Sequence, residues 1–187
     1  MSNIAIFASG SGSNFEAIVT AAQEGRLRTN PAVMVCDKPG AYVIERATKH
    51  GIPSIVFNPR DFENKAAYER YLVQQLEPYN IDLVCLAGYM RLIGPTFLAE
   101  YQDRIINIHP SLLPAFKGAH AIKDAFEYGV KVYGVTIHYV DETLDGGKII
   151  SQSAFNYNGE DMEELETMIH SVEHKLYPET INLLLKD

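Results

Sequence analysis

The stretch Ile4-Ala-Ile-Phe-Ala-Ser-Gly-Ser-Gly-Ser-Asn14-Phe-Glu-Ala-Ile-Val19 decides the fold. Ile4–Ala8 is an unbroken apolar run, the pattern of a strand buried on both faces. Ser9–Asn14 cannot prolong it, because Gly10 and Gly12 permit tight, positive-φ backbone. Beyond the turn, Phe15, Ile18, Val19 and Ala22 fall on one face of a helix, which predicts helix over Asn14–Glu24. A buried strand, a glycine turn and a helix make the opening half of a parallel crossover.

The same alternation continues along the chain. Ala32–Cys36, Ser54–Phe57, Ile81–Ala87 and Arg104–Ile108 read as strands. Helices are expected over Tyr42–His50, closed by Gly51, over Lys65–Gln75, stopped by Pro78, and over Pro95–Tyr101. Pro110–Gly118 is too rich in Pro and Gly for either regular structure, and His120–Tyr128 is helical. Tyr133–Val140 and Lys148–Phe155 are strands flanking Asp145 and read as an antiparallel pair. A last helix begins near Asp161, with Leu165, Met168, Ile169, Val172 and Leu176 at helical spacing.

Residues 1–187 show no repeat or linker and are expected to form one domain. The predicted class is α/β: an open, doubly wound, mostly parallel sheet of Rossmann-like type, with helices on both faces and an antiparallel pair that makes it mixed. Ligands of such sheets bind beyond the carboxyl ends of the strands, which directs attention to the loops after Ala8, Ala87 and Ile108.

Composition narrows the partners. The net charge of −8 argues against a general nucleic-acid binder, which needs a broad cationic face. An anionic chain can still hold small anions at helix N-termini and single cations. No apolar run reaches membrane-spanning length, and the N-terminus leads straight into a strand, so a cytoplasmic protein is expected. Cys36 and Cys85 each end an apolar run and are expected as reduced core thiols.

Three features carry chemistry. In Ser9–Asn14, the side chains of Ser13 and Asn14 stand beside free helical N–H groups, which suits a phosphate; a bare turn has the same composition. It is not a Walker loop, for no Gly-Lys-Ser/Thr follows, and Phe15 occupies the third glycine position of a dinucleotide fingerprint. Asp37 does stand about where a ribose-binding acid would. Asn107 and His109 alternate onto one side of a strand end, where an amide can hold an oxyanion and an imidazole can relay a proton. A capping Asn beside a structural His would look the same. Asp145-Gly146-Gly147 can place a carboxylate tightly, or be a plain turn. His120 and His138 could join His109, but no metal-binding spacing supports it, and no metal is expected.

Together these segments resemble the glycinamide ribonucleotide formyltransferases, a branch of the formyltetrahydrofolate-using superfamily. The matching pieces are Ile4–Asn14, Leu86-Ala-Gly-Tyr-Met-Arg91, Asn107-Ile-His-Pro-Ser-Leu-Leu-Pro114 and Asp141-Glu-Thr-Leu-Asp-Gly-Gly147, in family order over nearly the whole chain. The resemblance implies a cytoplasmic purine-biosynthesis enzyme that formylates glycinamide ribonucleotide from 10-formyltetrahydrofolate. Asn107, His109 and Asp145 would form the catalytic centre. Gly12, Ser13, Asn14 and Glu173 would hold the ribonucleotide. Lys65, Met90, Arg91, Leu92, Ile93, Asn107, Thr143 and Leu144 would meet the folate. It further implies two small-molecule substrates, no metal, no nucleic acid or membrane, and a monomer or homodimer. Lys65 stands where relatives often have Arg, and Ala115-Phe-Lys-Gly118 where many have a second proline.

Rival readings stay within reach of the same motifs. Methionyl-tRNA formyltransferases share the core but add a basic C-terminal domain, at odds with this chain's negative charge. Formyltetrahydrofolate hydrolases usually add an N-terminal regulatory domain. A non-catalytic nucleotide-binding module would explain the glycine loop and leave Asn107, His109 and Asp145 without a reason to converge.

Overall fold

Parallel strands cannot be joined by tight turns, and the chain places a helix or a long loop between each pair. The computed structural model describes residues 1–185, so Lys186 and Asp187 of the expected domain lie outside the described residues. Its elements run β1 (Asn3–Ala8), α1 (Ser13–Gln23), β2 (Asn30–Cys36), α2 (Tyr42–Lys49), β3 (Ser54–Val56), α3 (Lys65–Leu76), β4 (Leu83–Leu86), α4 (Pro95–Glu100), β5 (Ile105–His109), α5 (Ala121–Tyr128), β6 (Val132–Tyr139), β7 (Ile149–Asn156) and α6 (Met162–Leu184). They form one sheet in the order β3-β2-β1-β4-β5-β6-β7. β1 to β5 are parallel, while β6 and β7 join antiparallel. The expected class and the mixed character of the sheet hold.

Element ends shift where pairing overrides composition. β4 is shorter than the apolar run Ile81–Ala87. β5 extends to His109, because His109 pairs with Thr136 across the antiparallel ladder. α3 stops at Leu76, and Pro78 sits in a single 3-10 turn that follows it.

Alternation along the strands divides the core in two. Ile4, Ile6, Ala8, Cys36, Cys85, Ile106 and Ile108 face one layer, with Phe15 and Ile18 of α1, Val43 of α2 and Leu165, Ile169 and Tyr177 of α6. Ala5, Phe7, Val35, Val84, Leu86 and Ile105 face the other, with Tyr68 and Leu72 of α3 and Phe97 of α4. Both cysteines are buried free thiols, as expected. On β5, the side chain of Ile105 belongs to the second core, whereas Asn107 and His109, next on the same face, line a cavity. Strand parity thus delivers the polar pair to open space.

Two anchors stiffen the floor and one wall of that cavity. The wholly buried Tyr177 donates its hydroxyl to the carbonyls of Leu86 (2.8 Å) and Ile106 (3.3 Å), tying α6 to the end of β4 and the start of β5. The Pro110–Gly118 loop is pinned by Thr136, which donates to Ser111 O (2.7 Å) and accepts from Leu113 N (3.1 Å). Leu112 lies over Gly134, where an added Cβ would strike both the Leu112 side chain and the Ser153 carbonyl.

A Gly134→Ala substitution must therefore displace backbone on β7 or lift the loop. It should cost about 1–3 kcal/mol, the usual range for overpacking. For a chain of this size that lowers Tm by roughly 3–10 °C, measured by circular dichroism. An unchanged Tm would show that the loop does not depend on this contact.

Candidate active site

The strand order reverses direction between β1 and β4, so the loops that leave them diverge and open a crevice. A cavity of about 880 Å³ fills it. Every candidate site residue lines this one cavity: Gly12, Ser13, Asn14, Lys65, Met90, Arg91, Leu92, Ile93, Asn107, His109, Thr143, Leu144, Asp145 and Glu173. Residues separated by up to 161 positions are brought together there.

The two diverging loops are tied at their roots. Ser9 N donates to Gly88 O (3.0 Å), and Met90 N donates to Ser9 Oγ (2.9 Å). Asp37 accepts from Ser9 Oγ (2.5 Å) and from Arg91 Nε (2.7 Å). Asp37 is therefore occupied in tying the Ser9 and Arg91 loops together and is not presented to a ribose. Arg91 lines the cavity while anchored by this buried carboxylate.

In the glycine loop only Gly12 takes a left-handed conformation, at φ 75°; Gly10 does not. Gly12 caps α1 without any side-chain cap, which leaves the first N–H groups of the helix for a ligand. The Asn14 side chain departs from the expected role of phosphate donor. It is buried, and its Nδ2 donates to Glu173 Oε2 (3.2 Å). The same Glu173 oxygen accepts from His170 Nδ1 (2.8 Å), so α6 is keyed to the loop through one carboxylate. That hydrogen bond raises the His170 pKa above the ordinary histidine value, against the opposing effect of burial.

The polar centre is built on the register of β5 and β6, which sets Asn107 opposite His138 and His109 opposite Thr136. His138 Nδ1 lies 2.8 Å from Tyr139 O, an oxygen that only accepts, so this nitrogen carries the proton. Burial keeps the His138 pKa below the ordinary value despite nearby Asp145. A neutral ring with its proton on Nδ1 leaves Nε2 to accept from Asn107 Nδ2, 3.3 Å away. This orients the Asn107 amide and leaves its second hydrogen available.

His109 is differently placed. Its Nε2 is 2.8 Å from the Phe116 carbonyl, and its Nδ1 is 3.6 Å from Asp145 Oδ2. The Phe116 carbonyl only accepts, so Nε2 donates to it, while Nδ1 faces the Asp145 carboxylate from beyond hydrogen-bond distance. Asp145 accepts from Gly118 N (2.8 Å) through Oδ2, and its Oδ1 stands 3.8 Å from His138 Nε2.

The remaining wall is apolar. Met90, Leu92 and Leu144 are exposed, at 73%, 62% and 52%, although each lines the cavity. Apolar side chains bared around a polar centre suit a large planar ligand. Glu69, absent from the sequence reading, holds this wall in place: it is buried and accepts from Gly94 N (2.6 Å) and Phe97 N (3.0 Å). Its only signal in the sequence is its place one turn after Lys65 on α3. His138 and His170 were likewise given no role from sequence: His138 meets Asn107 across the β5–β6 ladder, whereas His170 meets Glu173 within α6. Among the described residues, no group of three or more His, Cys, Asp or Glu side chains is placed to hold a metal ion, and no helix is long and apolar enough to cross a membrane.

This geometry has close counterparts. The formyl transferase family model matches residues 2–181. The chain is 54% identical over 186 residues to the phosphoribosylglycinamide formyltransferase of Bacillus subtilis (strain 168), covering 99% of this chain and 95% of that protein. It is 38% identical over 185 residues to the trifunctional purine biosynthetic protein adenosine-3 of Drosophila melanogaster, covering 97% of this chain and 14% of that much longer protein. The crystal structure of glycinamide ribonucleotide transformylase 1 from Geobacillus kaustophilus superposes with a TM-score of 0.96 at 53% identity, over 99% of each chain. The chain belongs to the formyl transferase family.

Proposed function

We propose that the chain transfers the formyl group of 10-formyltetrahydrofolate to the amine of glycinamide ribonucleotide, a step of purine biosynthesis, as a single cytoplasmic formyltransferase domain. Its partners are two small molecules, with neither metal nor nucleic acid, and it works as a monomer or homodimer. The observation that carries the reading is the convergence of Asn107, His109 and Asp145 in one cavity with a glycine loop at one side and bare apolar side chains at the other.

The glycine loop meets the ribonucleotide phosphate through the amides of Gly12, Ser13 and Asn14, where the helix N-terminus favours an anion. Glu173 faces the glycinamide end. Met90, Leu92, Ile93 and Leu144 cover the folate ring, Arg91 and Thr143 flank it, and the exposed Lys65 supplies a cation for the folate carboxylates.

The substrate amine attacks the formyl carbon, and negative charge grows on the formyl oxygen. The second Nδ2 hydrogen of Asn107 and the Nδ1 proton of His109 are donors aimed at such a charge. The 3.6 Å gap between His109 Nδ1 and Asp145 exceeds a normal hydrogen bond, so that proton is shared with whatever enters the cavity. The Asp145 carboxylate balances the imidazolium. The proton of the attacking amine reaches the departing folate nitrogen through His109 or a water molecule.

Tetrahydrofolate release that depends on glycinamide ribonucleotide tests the reaction; release without it would indicate a hydrolase. His109→Ala should lower kcat by ~10²–10⁴-fold. Asn107→Ala should remove about 3 kcal/mol of transition-state stabilisation. Asp145→Asn keeps the shape but removes the counter-charge, and should reduce kcat while leaving the ribonucleotide KM nearly unchanged. Turnover close to normal in these variants would overturn the assigned roles.

Gly12→Val tests the other end of the cavity. A side chain there meets positive φ and, at 2.5–2.7 Å, the Val43 side chain. The ribonucleotide KM should rise at least ~10-fold with little change in the folate KM. Equal losses of both would mean general damage to the fold.

A further inference from the structure

The glycine loop is not held by its own residues. Helix α2 packs beneath it and grips two successive carbonyls. Val43 N, one of the orphan N–H groups in the first turn of α2, donates to Gly10 O (3.1 Å). Arg46, one turn further along, donates from Nε to Ser11 O (2.7 Å). Val43 also fills the space into which a Gly12 side chain would project.

A trans peptide points its C=O and N–H in opposite directions. Gly10 O shares a peptide with Ser11 N, and Ser11 O shares one with Gly12 N. Drawing both carbonyls toward α2 therefore turns the Ser11 and Gly12 N–H groups away from α2 and toward the cavity that both residues line. Orientation of this phosphate cradle then depends on where the Arg46 guanidinium is fixed.

That guanidinium is closely constrained. Its Nη1 is 3.2 Å from Glu16 Oε2, and it stacks 4.9 Å over the Tyr42 ring. Glu16 is held in turn by His50, whose Nε2 lies 2.8 Å from Oε1 and whose Nδ1 lies 3.1 Å from Gln23 Oε1. His50, at the end of α2, is thus a strut between α1 and α2. Burial pushes the Glu16 pKa up, but hydrogen bonds from His50 and Arg46 outweigh it and leave the pKa lowered, so Glu16 stays ionised beneath Arg46.

We infer that Arg46, seated by Glu16 and Tyr42, is a positioning residue for the ribonucleotide phosphate: by holding Ser11 O toward α2 it aims the Gly12 amide into the cavity. This rests on the reading of the loop as the phosphate site. The guanidinium also places a positive charge beside that loop in a chain of net charge −8.

The test titrates inorganic phosphate and ribose 5-phosphate into ¹⁵N-labelled protein while the Gly12 and Ser13 amide resonances are followed. Both anions should shift these resonances in the wild-type protein. In Arg46→Ala the same shifts should need about tenfold more ligand, as expected for loss of a charge-assisted hydrogen bond. The ribonucleotide KM should rise similarly, while kcat and the folate KM stay within about twofold. Arg46→Lys retains charge without the planar fork and should recover only part of the loss. Glu16→Gln, which keeps Arg46 but loosens it, should give a smaller change in the same direction and serves if Arg46→Ala does not fold. Normal phosphate affinity in Arg46→Ala, full recovery by Arg46→Lys, or an unchanged ribonucleotide KM in Glu16→Gln would each overturn the positioning role. Absence of any shift in the wild-type protein would overturn the phosphate reading of the loop itself.

Discussion

The buried carboxylate of Asp145 is the constraint around which the polar centre is arranged. A carboxylate with only 10% of its side chain exposed is costly unless charged or hydrogen-bonded groups surround it. Here the Gly118 N–H of the Pro-rich loop donates to it, and the His109 ring at the end of β5 stands 3.6 Å away. Meeting the carboxylate therefore draws the Pro-rich loop toward Asp145 beside His109. Asp145 itself sits at a left-handed φ of 49°, a conformation that short polar side chains tolerate better than most.

The two histidines beside the carboxylate differ in their second contacts. His138 accepts from the Asn107 amide and is buried, so it remains neutral and orients that amide. His109 donates from Nε2 to the Phe116 carbonyl and turns Nδ1 toward Asp145. One ring thus orients Asn107, and the other lines the cavity directly. The Phe116 carbonyl, held at a positive φ of 52° in the loop, takes part in that distinction through its contact with His109 Nε2.

At the opposite end of the cavity an uncapped helix start leaves backbone amides free, with one seated guanidinium beside the glycine loop, in a chain of net charge −8. The two ends are joined rigidly. Glu173 and Tyr177 on α6 reach, respectively, Asn14 beside the glycine loop and the carbonyls of Leu86 in β4 and Ile106 in β5. Such a frame links the glycine loop to the strands that carry the polar centre.

Periodicity and turn chemistry in the sequence determined the elements, the mostly parallel sheet and the loops that build the site, because these signals are local. Asn107 and His109 were legible from alternation along one strand, and Gly12 from its place between strand and helix. The Asp145-Gly-Gly turn showed where a carboxylate could be placed, and the resemblance carried by the quoted motifs added Glu173 and the apolar wall. Only the tertiary structure decided the partners. His138 became part of the centre through the β5–β6 register, and Asp37 was taken by Ser9 and Arg91. Asn14 turned its side chain to Glu173, and Glu69 and Arg46 became supports for loops far away in sequence. A side chain's preference for a strand, turn or helix is set by its neighbours along the chain. What its polar atoms bond to is set by which distant segment folding brings within about 3 Å, and local sequence carries no record of that distance.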